Sequence, residues 1–113
     1  MITPNVVSLG HRLFKRDWIH LDPPRHLHLF TCRSLAVLAE RAGFRVEKLF
    51  TTVRWAAPAI AHSIRIRRLG TSDLDVAPRR MIYALSWSVA FAEWVMLTPR
   101  PSLGEEIVLV ARK

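Results

Sequence analysis

Several things are scarce in this chain, and each scarcity excludes something. There is one cysteine, Cys32, so no internal disulfide framework exists and a reducing, cytoplasmic setting is expected. There are four glycines, at 10, 43, 70 and 104, and no two of them form a Gly-x-Gly turn. Acidic residues number nine against seventeen Lys and Arg, a formal net charge of +8. Met1 is followed by Ile-Thr-Pro-Asn, with neither a basic n-region nor an apolar h-region, so no secretory signal is expected. No internal repeat or low-complexity segment is visible.

What is present suits one small folded unit. Half of the 113 residues are hydrophobic, too many for a disordered tail, and a chain of this length buries roughly two-thirds of its unfolded surface. The basic excess would suit a nucleic acid or an anionic membrane. However, fourteen of the basic residues are scattered Arg, densest at Arg65-Ile66-Arg67-Arg68 and Arg79-Arg80, and no nucleic-acid module is recognisable. Nucleic acid is therefore not the expected partner.

Residues 1–30 read as a strand end and a lid-like loop. Met1-Ile2 ends at Thr3-Pro4-Asn5, since Pro4 has no amide hydrogen for a ladder, and Val6, Leu9 and Leu13 suggest a short helix up to Phe14. Asp22-Pro23-Pro24 is expected to be extended. Residues 31–55 read as helix and strand. Thr31 is an N-cap candidate, Leu35, Leu38, Ala39 and Ala42 form one apolar stripe, and Gly43-Phe44 fits a Schellman stop. Val46, Phe50, Thr51, Thr52, Val53 and Trp55 then mark a strand from Arg45 to Trp55.

Residues 56–100 read as helical. Ala57, Ile60, Ala61 and Ile64 share one face of a helix that has Pro58 in its first turn and Gly70 at its end. Met81 to Leu97 is apolar nearly all round, with Tyr83, Ser86 and Glu93 as a narrow polar stripe. Its length is at the lower limit for crossing a bilayer and Glu93 would be costly in hydrocarbon, so a buried or interfacial helix is expected. Residues 104–113 end the chain with Ile107-Val108-Leu109-Val110-Ala111, a run typical of a strand covered on both faces.

Thr3-Pro4-Asn5, the Trp18 to Thr31 loop with Pro-Pro-Arg-His-Leu, the helix closing in Ala42-Gly43-Phe44, and Gly104-Glu105-Glu106 before an apolar strand together resemble a known pattern. They are similar to the C-terminal part of a class I S-adenosylmethionine-dependent methyltransferase, in the subgroup acting on small molecules such as ubiquinone precursors and sugars. The likeness spans most of the chain outside Pro58 to Arg100.

The resemblance implies an α/β, Rossmann-like seven-stranded fold. Met1 to Asn5 would end its fifth strand, Arg45 to Trp55 would be its sixth and Glu106 to Arg112 its antiparallel seventh, with a helical insertion before the last. It also implies S-adenosylmethionine as cofactor of the full-length enzyme. Without a glycine-rich turn, none is expected for this chain alone, and a complementing N-terminal half or an oligomer would have to supply that side. The partner would be a small-molecule acceptor, lipid-linked or free.

Site candidates follow from the chemistry. Methyl transfer needs alignment and, for a hydroxyl or amine acceptor, a base. Ligands of open α/β sheets lie beyond the carboxyl ends of strands, which selects Asn5 and the Trp18 to His28 loop. His26 is the first choice for a base and His20 the second. Arg25 could pair with an anionic group and Trp18 could stack on a flat one. Against these roles stands a purely structural one, in which Trp18 and His26 pin the loop to the fold.

His26 and His28 with His20 or Cys32 match no closed zinc motif, and no metal is expected. Cys32 as a nucleophile lacks an orienting His/Asp pair. The competing function is a non-enzymatic remnant or binding module that uses residues 81–97 on a partner or as a peripheral membrane contact.

Overall fold

The computed structural model describes residues 1–21, 26–71 and 79–113. Arg25, the Asp22-Pro23-Pro24 run and the Ser72-Asp73-Leu74-Asp75 break lie outside the described residues.

The elements run β1 (Ile2–Pro4), α1 (Leu9–Phe14), two 3-10 turns (Lys15–Asp17 and Ile19–Leu21), α2 (Cys32–Arg41), β2 (Arg45–Thr52), α3 (Ala56–Leu69), α4 (Arg80–Leu97) and β3 (Glu106–Arg112). The result is a small α/β unit whose three strands lie in the order β1-β3-β2, with β3 antiparallel to both neighbours. Among the described residues the sheet has these three strands and not seven. Three strands fall in the three segments where strands were expected, and a seven-stranded, Rossmann-like sheet is not shown.

Helix α2 forms as its local chemistry dictates. Thr31 accepts from the Ser34 amide at 3.1 Å while Ser34 Oγ accepts from the Thr31 amide at 2.9 Å, a complete capping box. Its end is a Schellman motif, with the Phe44 amide donating to the Ala39 carbonyl and the Gly43 amide to the Glu40 carbonyl, both at 3.0 Å. Gly43 sits at φ 84°, where a Cβ would be strained. Gly70, at φ 74°, ends α3 in the same left-handed way.

One face of α2 seals one face of the sheet. Leu35 and Ala39 bury against Ile107 and Leu109 of β3, whereas Leu38 is half exposed at the rim of an apolar groove. The opposite sheet face differs from expectation. Ile2, Val108 and Phe50 are cross-strand neighbours on it, and Ile2 and Phe50 remain about half exposed. β3 is thus apolar on both faces, but only the α2 side is fully covered among the described residues.

Helices α1, α3 and α4 gather beyond the carboxyl ends of β1 and β2. Their core is Phe14, Trp18, Ala56, Ala57, Ile60 and Ala90. Arg67 fastens α3 to the end of α1: its guanidinium donates to the Leu13 and Phe14 carbonyls at 2.8 and 3.1 Å, pairs with Asp17 at 3.1 Å and lies over the Phe14 ring. Part of the basic cluster at residues 65–68 is therefore an internal clamp. Two close approaches lock the sheet to this cap. A Cβ on Gly104 would sit 2.7 Å from Thr51 Oγ1 and 2.9 Å from the Thr52 amide, and one on Gly10 would be driven into the Glu105 carboxylate.

Candidate functional site

A cleft of about 280 Å³ lies against β1. Its polar lining comes from His20, His26, His62, Thr3 and Glu106, and its apolar lining from Ile2, Pro4, Ile19, Trp55 and Ala59. Three segments meet there: the end of β1, the 3-10 turn that carries His20, and the first half of α3. The cleft runs alongside β1 and the adjoining first residue of β3, Glu106.

The turn is held in place from below. The Ile19 amide donates to Ser63 Oγ at 3.0 Å, and that hydroxyl donates to the Ala59 carbonyl at 2.7 Å. Trp18 is 1% exposed and packs its indole against His11 and His20 at centroid distances of 4.9 and 5.0 Å. Its Nε1 donates to Glu105 Oε1 at 2.5 Å. His20 in turn meets His26 edge-on, with ring centroids 5.9 Å apart.

These contacts set the electrostatics. Burial, aided by the neighbouring charge of His26, lowers the His20 pKa to about 4, so its imidazole is neutral near pH 7. His20 Nε2 lies 3.7 Å from Glu105 Oε1, beyond hydrogen-bond reach. Burial pushes the Glu105 carboxyl up to about 7 even though Trp18, Ser8 and the Gly10 amide favour its anion. Glu93, on the inner face of α4, rises to about 8 through burial and the charge of Glu105. The Leu9 amide opposes this rise, although no hydrogen bond of ordinary geometry reaches either Glu93 oxygen among the described residues. Glu106 is also raised by burial, which Arg54 opposes, and His62 is lowered by burial and then by Arg65.

The candidates read from sequence divide into two groups. His20 and His26 line the cleft together. Trp18 does not reach it, and its polar atom is turned inward to Glu105. Asn5 is fully buried, with Nδ2 donating to the Ser102 and Gly104 carbonyls, both at 2.7 Å, and Oδ1 accepting from the Val7 amide at 3.3 Å. Asn5 and Trp18 thus brace the loops around the cleft. Asn5→Ala would leave the buried Gly104 carbonyl without its donor, at about 1–3 kcal/mol, and would also free the part-buried Ser102 carbonyl. Denaturant titration should show the loss as a lower midpoint with an unchanged slope.

His62, Glu105 and Glu106 carry no role in the sequence reading. A signal for the acids existed, two adjacent carboxylates before an apolar strand; His62 had none, since it lies off the apolar stripe of α3. Cys32 begins α2, and burial raises its thiol pKa, which disfavours the thiolate. No three His, Cys, Asp or Glu side chains among the described residues could share a metal ion.

The glycines of this chain do not form the cradle that the resemblance implies for S-adenosylmethionine. A glycine-rich cradle needs glycines open to a ligand, and here Gly43 and Gly70 end helices while Gly10 and Gly104 are pressed against Glu105 and Thr51. The cleft instead offers a neutral imidazole, a second imidazole beside it and apolar walls. It suits a small, largely apolar molecule with one group whose proton must be held or removed.

Comparison with known protein families, curated proteins and solved structures found no match to this chain.

Proposed function

We propose that this chain is the acceptor-side segment of an S-adenosylmethionine-dependent small-molecule methyltransferase, its cofactor-binding side being supplied by further protein in the same or another chain. One observation carries the reading. β1 passes through α2 to β2, which runs parallel to β1 with one strand position between them, and antiparallel β3 fills that position. The resemblance assigns these same segments to its fifth strand, sixth strand and antiparallel seventh. Half-exposed Phe50, on the open face of the sheet and outside the cleft, is where a further layer of a doubly wound fold would pack.

In this reading the acceptor lies in the cleft. His26 takes the proton of its hydroxyl or amine, and neutral His20, braced by Trp18 and Ser63, holds the His26 ring in place. His62 and Glu106 orient the acceptor from the other walls.

Calorimetry tests the division of labour. The 113-residue chain should give no S-adenosylmethionine heat, whereas the same chain extended through the reading frame upstream of Met1, or mixed with a separate cofactor-binding subunit, should bind stoichiometrically. Stoichiometric binding by the 113 residues alone would overturn the proposal, as would an upstream frame and neighbouring genes that encode no glycine-rich strand-turn-helix unit.

A further inference from the structure

Helix α4 is polar on the inside and apolar on the outside. Ser86, Ala90 and Glu93 face the core, with Ser86 and Glu93 fully buried. At about 100° per residue Met81, Phe91 and Val95 fall on the opposite side and Trp87 and Trp94 on its flank, and these five are 75%, 64%, 49%, 61% and 58% exposed. Phe91 and Trp94 lie with ring centroids 5.8 Å apart, making one continuous aromatic surface. An exposed patch of this kind marks an interface.

Two observations say what covers it. First, the face is uncharged and its polar groups are few: it offers the indole N–H donors of Trp87 and Trp94, Ser88 donates to the Ala84 carbonyl at 3.2 Å, and no charged side chain lies between Arg80 and Arg100 except the inward Glu93. A protein partner needs about one hydrogen bond per 100–200 Å² and a polar rim. Second, the ends of the patch are cationic. Arg79 and Arg80 at the start of α4 and Arg100 just beyond its end are exposed, in a chain of net charge +8. Indole and phenyl rings between flanking Arg match the boundary between acyl chains and anionic headgroups. The helix has 18 residues, about 27 Å, and no helix among the described residues is long and apolar enough to cross a membrane.

We propose that the outer face of α4 docks on an anionic lipid bilayer, with the helix lying in the plane of the interface. This proposal stands apart from the methyltransferase reading and survives its failure.

The full chain is mixed with vesicles of phosphatidylcholine alone or of phosphatidylcholine with phosphatidylglycerol, and binding is read by co-sedimentation and by quenching of Trp emission with brominated acyl chains. At least about tenfold tighter binding to the anionic vesicles is expected, with an indole blue shift and strong quenching. The triple variant Trp87→Ser, Phe91→Ser, Trp94→Ser alters only exposed side chains, should keep its far-ultraviolet circular dichroism, and should lose binding. Arg79→Glu with Arg80→Glu should lose the anionic preference. Should the triple variant misfold, quenching in the unaltered chain decides. Equal binding to both vesicles, binding without quenching, binding retained by a folded triple variant, or a lipid-free dimer that buries Trp94 and ignores vesicles would each overturn the proposal.

Discussion

Trp18→Ala should cost roughly 3–5 kcal/mol, the largest loss expected from a single substitution in this chain. The indole is 1% exposed at the centre of the cluster with Phe14, Ala57, Ile60 and Ala90, so truncation opens a cavity that helices α1, α3 and α4 share. It also removes the donor to Glu105 Oε1, leaving a fully buried carboxyl without that partner. Trp18→Phe separates the two contributions. It keeps most of the volume and deletes the N–H, so it should cost about 1.5–3 kcal/mol, the range for a hydrogen bond to a charged group. It should also raise the Glu105 pKa further, because the Trp18 bond is what most favours the anion. Chemical denaturation of both variants across pH checks this, and the deficit of Trp18→Phe should shrink at low pH, where Glu105 is protonated.

Stability should fall as pH rises above neutrality, and Glu93→Gln should remove most of that fall. Glu93 and Glu105 have folded pKa values of about 8 and about 7, against an ordinary carboxyl value of 4.5. The folded state therefore holds more protons than the unfolded state above pH 4.5. By linkage, stability drops with rising pH until the folded carboxyls have titrated, near pH 8. His20 acts in the opposite sense: its folded pKa of about 4 lies below its ordinary 6.5, so it costs stability as pH falls from 6.5 towards 4. Above pH 6.5 only the carboxylates act. From there to about pH 8.5, Glu93 alone should cost about 2 kcal/mol, at 1.36 kcal/mol per pH unit. Thermal melts of the unaltered chain should show a lower Tm at the higher pH, and those of Glu93→Gln a much flatter profile.

The parts of the fold legible in the sequence are those fixed by local chemistry. The Thr31 cap, the Gly43-Phe44 stop and the end of α3 at Gly70 each depend on a few neighbouring residues, and their bonds form within one turn. The limits of β3 and α4 follow from Gly104, Pro99 and the apolar runs between them. Other boundaries differ from the sequence expectation: β2 stops at Thr52 rather than Trp55, since the chain turns there to start α3, and α1 begins at Leu9 under the Ser8 cap.

The site was legible as a region and not in its parts. His20 and His26 fall near one another because the intervening chain is short. Whether Trp18 and Asn5 face a ligand or the core depends on Glu105, 87 residues from Trp18, and on Ser102 and Gly104, 97 and 99 residues from Asn5. No spacing rule reaches that far. The inversion of α4 was partly visible, since Ser86 and Glu93 share one stripe. Their burial required the packing of α4 on α3 and the approach of Glu105 to Glu93, which the sequence does not announce.

The claim that the His20–His26 cleft is the acceptor side of a methyl-transferring enzyme is tested most directly by replacing its base in the cofactor-competent protein. His26→Ala should lower kcat by about 10²–10⁴-fold at unchanged S-adenosylmethionine affinity, while His28→Ala, outside the cleft, leaves kcat intact. Equal rates for the unaltered protein and His26→Ala, or a loss confined to His28→Ala, would contradict the account.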